Sequence, residues 1–120
     1  GDVQTAHKQG YFRKTLDGFP PSGPCIVTAD AFADYPPRLG IRSFVNGEKR
    51  QDSNTALQIF DIDHVIAELS QGMTLKAGTI IATGTPAGVG MGMDPPQFLK
   101  PGDVVRCEID GIGTLTNPVE

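Results

Sequence analysis

The 120-residue sequence has no tryptophan, only two cysteines and no run of about 18 apolar residues of the length that crosses a bilayer. Cys25 and Cys107 form neither a CxxC pair nor a disulfide framework, which favours a reduced protein in the cytoplasm, or in mitochondria if the source is eukaryotic. Positive charge is scarce too, because ten Lys and Arg stand against fourteen Asp and Glu. This balance predicts no binding to nucleic acid or to an anionic membrane.

Glycine and proline are abundant instead, with 15 and 10 residues. Such a composition favours short strands and tight turns over long helices, and the length suits one domain. The sequence opens on Gly1 rather than Met, and residues 1–10 lack a periodic apolar pattern. We therefore expect residues 1–10 to be an arm or a truncated end, and residues 11–120 to form the domain.

Two hairpins are predicted from turn residues. Asn46-Gly47 separates an apolar segment from a more polar one and suits a type I′ turn, while Asp110-Gly111 reverses a second pair of strands over residues 104–116. Further short strands are predicted over residues 25–28 and 79–83, and the cysteines within such runs are expected to be buried. The pattern thus predicts a mainly β fold.

One helix is predicted near residues 61–71. Four apolar residues at helical spacing give it a single apolar stripe: Ile62, Val65, Ile66 and Leu69. Asp61 or Asp63 can accept hydrogen bonds from the free amides at its start. His64 and these acids together have the residue types of a metal site. Acidic residues are common at a helix start because its backbone amides are unpaired, so we interpret them as stabilising the helix rather than binding a metal.

Two loops are candidates for chemistry. The glycine-rich residues 84–92 follow a predicted strand but lack the Gly-Lys-Ser/Thr ending of a phosphate-binding loop. They could present the Thr85 hydroxyl to an anion, or they could be a plain connection. Lys14 lies near a Gly-Phe-Pro turn, where its ammonium could meet a carboxylate or enolate, or simply be a solvated charge.

Five segments in order resemble the fumarylacetoacetate hydrolase family. The resemblance extends over residues 11–119 and is similar in detail to the fumarylacetoacetate hydrolase domain-containing proteins. The segments are Lys14-Thr15-Leu16-Asp17-Gly18-Phe19 with Ser22-Gly23-Pro24, Val45-Asn46-Gly47-Glu48 with Gln51-Asp52-Ser53-Asn54-Thr55, Ala82-Thr83-Gly84-Thr85-Pro86-Ala87-Gly88-Val89-Gly90, Leu99-Lys100-Pro101-Gly102-Asp103-Val104-Val105, and Gly111-Ile112-Gly113-Thr114-Leu115.

The resemblance implies an α+β, mainly β roll of mixed sheets that forms a homodimer and binds Mg²⁺ or Mn²⁺ in the complete domain. It implies hydrolysis, decarboxylation or tautomerisation of a 2-oxo acid or a 1,3-dicarbonyl compound through a metal-stabilised enolate. Lys14 matches the family's catalytic lysine, which holds the substrate oxygen anion or orders the attacking water. Thr85, with Gly84, matches the loop that contacts the substrate carboxylate.

The family's metal ligands are a Glu-x-Glu pair and a later Asp, and this sequence has no Glu-x-Glu. Asp2, in Gly1-Asp2-Val3, is the candidate for the later Asp, although the gap to Lys14 is shorter than in the family. We therefore expect the carboxyl-terminal half of a larger catalytic domain, which alone binds Mg²⁺ poorly. Two alternatives stay open: a non-catalytic scaffold of the same fold, and a complete chain that assembles its site from another subunit.

Overall fold

The computed structural model describes residues 21–120 of the chain. Their four strands form one antiparallel sheet in the spatial order β2-β1-β3-β4. The strands are β1 (Gly40–Val45), β2 (Glu48–Asn54), β3 (Val104–Ile109) and β4 (Gly113–Pro118). The same residues contain one α-helix, α1 (Ile62–Ser70), and short 3₁₀ turns at Ala29–Ala31, Thr55–Leu57 and Gly90–Gly92. The predicted mainly β fold with one helix near residues 61–71 is confirmed.

Both predicted hairpins are present. Asn46 and Gly47 adopt φ angles of 51° and 84°, as a type I′ turn between β1 and β2 requires. In the second hairpin Ile109 pairs with Gly113, and the Ile112 amide donates to the Ile109 carbonyl at 3.1 Å. Gly111 lies in this turn at φ 76°, a conformation that glycine adopts without steric cost.

A β-bulge interrupts the pairing of β1 with β2. Ser43 lies opposite Gln51, but the next residue of β1, Phe44, lies opposite Lys49, so Arg50 is an extra residue without a pairing partner. A bulge changes the normal alternation of side chains between the two faces of a sheet. Its effect here is that consecutive residues, Arg50 and Gln51, both reach the same glycine-rich loop, as described below.

Helix α1 begins as predicted, with Asp61 as its N-cap. The Asp61 Oδ1 atom accepts a hydrogen bond from the His64 amide at 2.7 Å. Asp63 accepts a second hydrogen bond of 2.7 Å from the Tyr35 hydroxyl, and this bond raises the pKa of Tyr35 above its ordinary value. The His64 ring stacks on Phe60, with 4.8 Å between the ring centroids. The acids of this segment therefore fix the helix start and its neighbouring loop.

Three local predictions were wrong. Residues 25–28 and 79–83 form no strand, because each segment lacks a partner strand with which to exchange backbone hydrogen bonds among the described residues. Both cysteines are free and exposed rather than buried. The Cys25 thiol lies 3.6 Å from the Ile112 carbonyl, and Cys107 lines an open cavity beside β3.

Apolar side chains of the described part of the chain remain open to solvent, and none of its hydrophobic residues is fully buried. Ile26 and Ile59 are each 92% exposed, and Ile80 is 78% exposed. Large apolar side chains left in water are typical of surfaces that other protein covers. Among residues 21–120, no helix has the length and apolar character needed to cross a membrane.

Candidate active site

The predicted anion-binding loop is an exposed turn, and a hydrogen bond supports the segment that leads into it. We call residues 84–97 the glycine loop. It follows residues 79–83, where the Gln58 side-chain amide donates to the Thr83 hydroxyl at 3.2 Å. Gly84 then adopts φ 104°, a backbone conformation that side chains rarely allow. The turn leaves Thr85 on the surface of the protein, where its hydroxyl can meet a ligand.

Gln51, a residue of the sheet, holds Thr85 in place. The Gln51 Nε2 atom donates to the Thr85 hydroxyl oxygen at 2.7 Å and to the Pro86 carbonyl at 2.9 Å. The other end of the same amide, Oε1, accepts from the Ser43 hydroxyl at 2.8 Å. Because Ser43 and Gln51 are paired residues of β1 and β2, the sheet determines where Thr85 stands.

Two glycines allow close backbone contacts, Gly88 with β2 and Gly90 with Gln97 at the end of the loop itself. A Cβ at Gly88 would lie 2.0 Å from the Arg50 carbonyl oxygen, and a Cβ at Gly90 would lie 1.8 Å from the carbonyl oxygen of Gln97. Gly88 also adopts φ 103°, whereas the Gly90 carbonyl accepts a hydrogen bond from the Gln97 amide at 2.9 Å. These positions have no room for any side chain.

Arg50 ties the far end of the glycine loop to the bulge. Its guanidinium donates to the Gln97 side-chain oxygen and lies 3.0 Å from the Met93 sulfur. Glu48 partly balances its charge, with 3.3 Å between Nη2 and Oε2. The loop is thus fastened near both ends by neighbouring residues of β2, and a cavity of about 650 Å³ lies between the loop and the sheet.

Behind the loop, Asn46 and Asp103 join the first hairpin to β3. The side-chain amide nitrogen of Asn46 donates to Asp103 Oδ1 at 2.8 Å, and the side-chain oxygen of Asn46 accepts from the backbone amide of Val104 at 2.8 Å. The Lys100 amide donates to Asp103 Oδ2, also at 2.8 Å. These two bonds to the ionised carboxylate, that from Asn46 first, lower the pKa of Asp103 below its ordinary value.

This junction predicts an acid-sensitive contribution to stability. Because the folded pKa of Asp103 lies below the unfolded one, its contribution is present above the unfolded pKa and is lost as the pH falls through the folded pKa. Asp103→Asn should therefore flatten the fall in melting temperature between about pH 5 and pH 3. Asp94→Asn is the control, and thermal scans in which both variants follow the wild-type pH dependence would contradict this role.

The other predicted site residues lie outside the described residues. Lys14, the predicted catalytic lysine, and Asp2, the candidate metal ligand, both fall within residues 1–20. Within residues 21–120, no group of three histidine, cysteine, aspartate or glutamate side chains could hold a metal ion. The described residues therefore do not fit a metal site, and what they offer a ligand is the Thr85 hydroxyl on its glycine loop.

Sequence reasoning did not assign roles to Gln51, Ser43 and Arg50. Gln51 belongs to one of the segments that carry the resemblance, but its strand pattern indicated only a partly solvated face. The signature of the Asn46-Gly47 turn predicts the register only as far as Phe44 opposite Lys49. Continued, that register would place Ser43 opposite Arg50, whereas the bulge places Ser43 opposite Gln51. The bulge that directs Arg50 and Gln51 to one loop has no such signature in the sequence.

Comparison with known proteins gives relatives of high identity. Oxaloacetate tautomerase YisK of Bacillus subtilis is 48% identical over 118 residues, which are 98% of this chain and 39% of the relative. Oxaloacetate tautomerase fahd2, mitochondrial, of Xenopus laevis is 51% identical over 112 residues, 93% of this chain and 35% of the relative. The chain thus spans less than half the length of these relatives.

Solved structures give the same fold. Fumarylacetoacetate hydrolase from Exiguobacterium antarcticum superposes with a TM-score of 0.90 at 51% identity, covering 99% of this chain and 42% of that one. Maleylpyruvate hydrolase from Sphingobium sp. SYK-6, in complex with manganese(II) and pyruvate, superposes with a TM-score of 0.77 at 45% identity, covering 90% of this chain and 38% of that one.

The family assignment follows from the sequence match and the shared fold together. Residues 2–120 match the family described as Fumarylacetoacetate (FAA) hydrolase C-terminal. The members named above include tautomerases and hydrolases, and one of them is complexed with a divalent metal and a 2-oxo acid. This chain therefore belongs to the fumarylacetoacetate hydrolase family and corresponds to its carboxyl-terminal region.

Proposed function

We propose that this chain supplies the carboxylate-binding part of an active site that acts on a 2-oxo acid. The observation that carries the proposal is the exposed Thr85 hydroxyl, which accepts a hydrogen bond of 2.7 Å from Gln51 on a loop that Gly88 allows to lie against the sheet. A hydroxyl fixed on a rigid base binds a carboxylate at a lower entropic cost than a mobile one. The pyruvate complex of the Sphingobium relative supports this ligand class.

The reaction that we propose first is keto–enol tautomerisation of oxaloacetate or a similar 2-oxo acid. Two relatives of 48% and 51% identity are named oxaloacetate tautomerases. In this reaction Thr85 anchors the carboxylate, and the Lys14 ammonium stabilises the negative charge that develops on the enolate oxygen. Hydrolytic C–C cleavage is the second candidate, supported by the maleylpyruvate hydrolase relative, and decarboxylation would pass through the same kind of enolate.

A divalent ion, Mg²⁺ or Mn²⁺, belongs to this proposal as the cofactor of the complete site. Its support is the manganese(II) complex of the Sphingobium enzyme. Since residues 21–120 contain no suitable group of ligands, the ligands must come from elsewhere, and Asp2 is the one that we propose from this chain. The described residues bind and orient the carboxylate.

Replacing the Thr85 hydroxyl tests the proposed function. In the protein as its gene encodes it, Thr85→Val should raise KM for oxaloacetate by about 10-fold to 10²-fold, because a hydrogen bond to a charged group contributes about 1.5–3 kcal/mol. The change in kcat should be small, since the substrate carboxylate is bound similarly in the ground and transition states. Enol absorbance with Mg²⁺ or Mn²⁺ present measures the rate.

Thr79→Val is the matched control, because Thr79 is an exposed threonine that precedes the loop and should tolerate the change. An unchanged KM in Thr85→Val would contradict the proposal. Absence of turnover by the wild type with oxaloacetate and maleylpyruvate, with either metal supplied, would instead favour the scaffold alternative, in which the fold is kept without catalysis.

We also propose a homodimer as the assembled form. The support is the apolar surface of the described residues, to which Leu57, Ile59 and Phe60 contribute with exposures of 74%, 92% and 60%. Adjacent exposed apolar side chains are typical of surfaces covered by further protein. Light scattering that gives the mass of one chain would contradict the dimer.

A further inference from the structure

We infer that Gln51 is a positioning residue that makes Thr85 a hydrogen-bond donor, so that the site selects a carboxylate over its neutral amide. This inference rests on the proposed function and adds to it the reason for its specificity. It assigns a role to a side chain that contacts the threonine rather than the substrate. Three features carry it: the orientation of the Gln51 amide, the proton of the Thr85 hydroxyl and the chemistry of the ligand.

The orientation of the Gln51 amide follows from its neighbours. Its nitrogen and its oxygen have similar shapes, so hydrogen-bond partners must distinguish them. The Pro86 carbonyl can only accept, and it lies 2.9 Å from one end of the amide, so that end must be the NH₂ group. The opposite end is then the carbonyl oxygen, which accepts from the Ser43 hydroxyl at 2.8 Å.

The orientation of the amide determines what Thr85 can do. Its hydroxyl oxygen accepts a hydrogen bond from Gln51 Nε2 at 2.7 Å, so its own proton does not point at that nitrogen. A hydroxyl has one proton to donate. With Gln51 as the donor, the proton of the exposed Thr85 hydroxyl is left for a ligand.

A donor at this position distinguishes ligands by chemical class. An ionised carboxylate only accepts hydrogen bonds, and it binds a hydroxyl donor more strongly than a neutral group does. A carboxamide brings its own NH₂ protons and a weaker acceptor, so one orientation of it faces Thr85 with donor against donor. Sites with fixed donors and acceptors reject such mismatched analogues because a polar group is left unpaired.

Three variants of the protein as its gene encodes it test the inference, with pyruvate and pyruvamide as probes. Gln51→Glu presents an ionised acceptor to Thr85, which then donates inward. We expect the binding preference for pyruvate over pyruvamide to fall by about 10-fold or more. Gln51→Met keeps the length without any donor and should lower the preference less. Ser43→Ala removes only the hydrogen bond to the amide oxygen and leaves the bond to the Pro86 carbonyl, so it should lower the preference by about 2-fold to 5-fold.

A control separates positioning from simple damage to the fold. Gln71→Met removes a similar side-chain amide, which contacts Glu68 at the end of helix α1, and should leave the preference unchanged. Thermal unfolding shows whether each variant folds; if Gln51→Glu does not, Gln51→Met and Ser43→Ala provide the test. Gln51 variants that bind pyruvate with the wild-type preference would overturn this inference alone. A wild-type protein that does not bind pyruvate would overturn the proposed function, and this inference with it.

Discussion

Lys14→Ala is expected to slow turnover by roughly 10²-fold or more, the largest effect that we predict for a single side chain. The proposed reaction places negative charge on the substrate oxygen as the enolate forms. An ammonium beside that oxygen stabilises the transition state more than the ground state, so its removal lowers kcat rather than raising KM. Steady-state kinetics with oxaloacetate in the presence of Mn²⁺ measure both constants.

The contrast with Thr85 makes the Lys14 result informative. Thr85→Val should act mainly on KM, because the threonine is proposed to bind a carboxylate that does not react. Lys76→Ala, at an exposed lysine distant in sequence from Lys14, is the control for loss of a positive charge. Retention of the wild-type kcat by Lys14→Ala would remove the lysine from the mechanism while leaving the carboxylate site intact.

Gly88→Ala is expected to displace the glycine loop and to lower the affinity for pyruvate by about 10-fold or more. The new Cβ would lie 2.0 Å from the Arg50 carbonyl oxygen, where no real Cβ is tolerated, and the φ of 103° adds backbone strain. Overpacking of this kind costs about 1–3 kcal/mol in folding free energy. Calorimetric titration with pyruvate and thermal unfolding measure the two effects.

Gly78→Ala separates the clash from the strain. Gly78 also has a positive φ, 85°, but a Cβ added there would meet nothing within 4 Å. The Gly78→Ala variant should therefore lose some stability and keep its affinity for pyruvate. If Gly88→Ala also kept the affinity, the close contact between loop and sheet would not be what positions Thr85.

The sequence was sufficient for elements whose signals are local. The Asn46-Gly47 turn and the apolar spacing of Ile62, Val65 and Leu69 depend on neighbouring residues, so the first hairpin and the helix were predicted correctly. Residues 79–83 have the composition of a strand, but a strand needs a partner, and pairing is a property of the whole fold. Their unpaired state could not be predicted from their composition.

The candidate site shows the same division between local and long-range signals. Thr85 was found because its glycine-rich surroundings belong to a recognisable segment. The hydrogen bond between Thr85 and Gln51 joins residues 34 positions apart. This bond depends on a bulge that cannot be predicted from the residue types of the strand. Lys14 and Asp2 remain predictions, since they lie outside the described residues.

A crystal structure of the protein with Mn²⁺ and pyruvate would test the central claim most directly. We expect a pyruvate carboxylate oxygen within hydrogen-bond distance of Thr85 Oγ1, roughly 2.6–3.2 Å, with the contact between Gln51 and Thr85 retained. We also expect the Lys14 ammonium in the same cleft. Pyruvate bound away from Thr85, or Lys14 on a different face of the protein, would contradict the proposed carboxylate site.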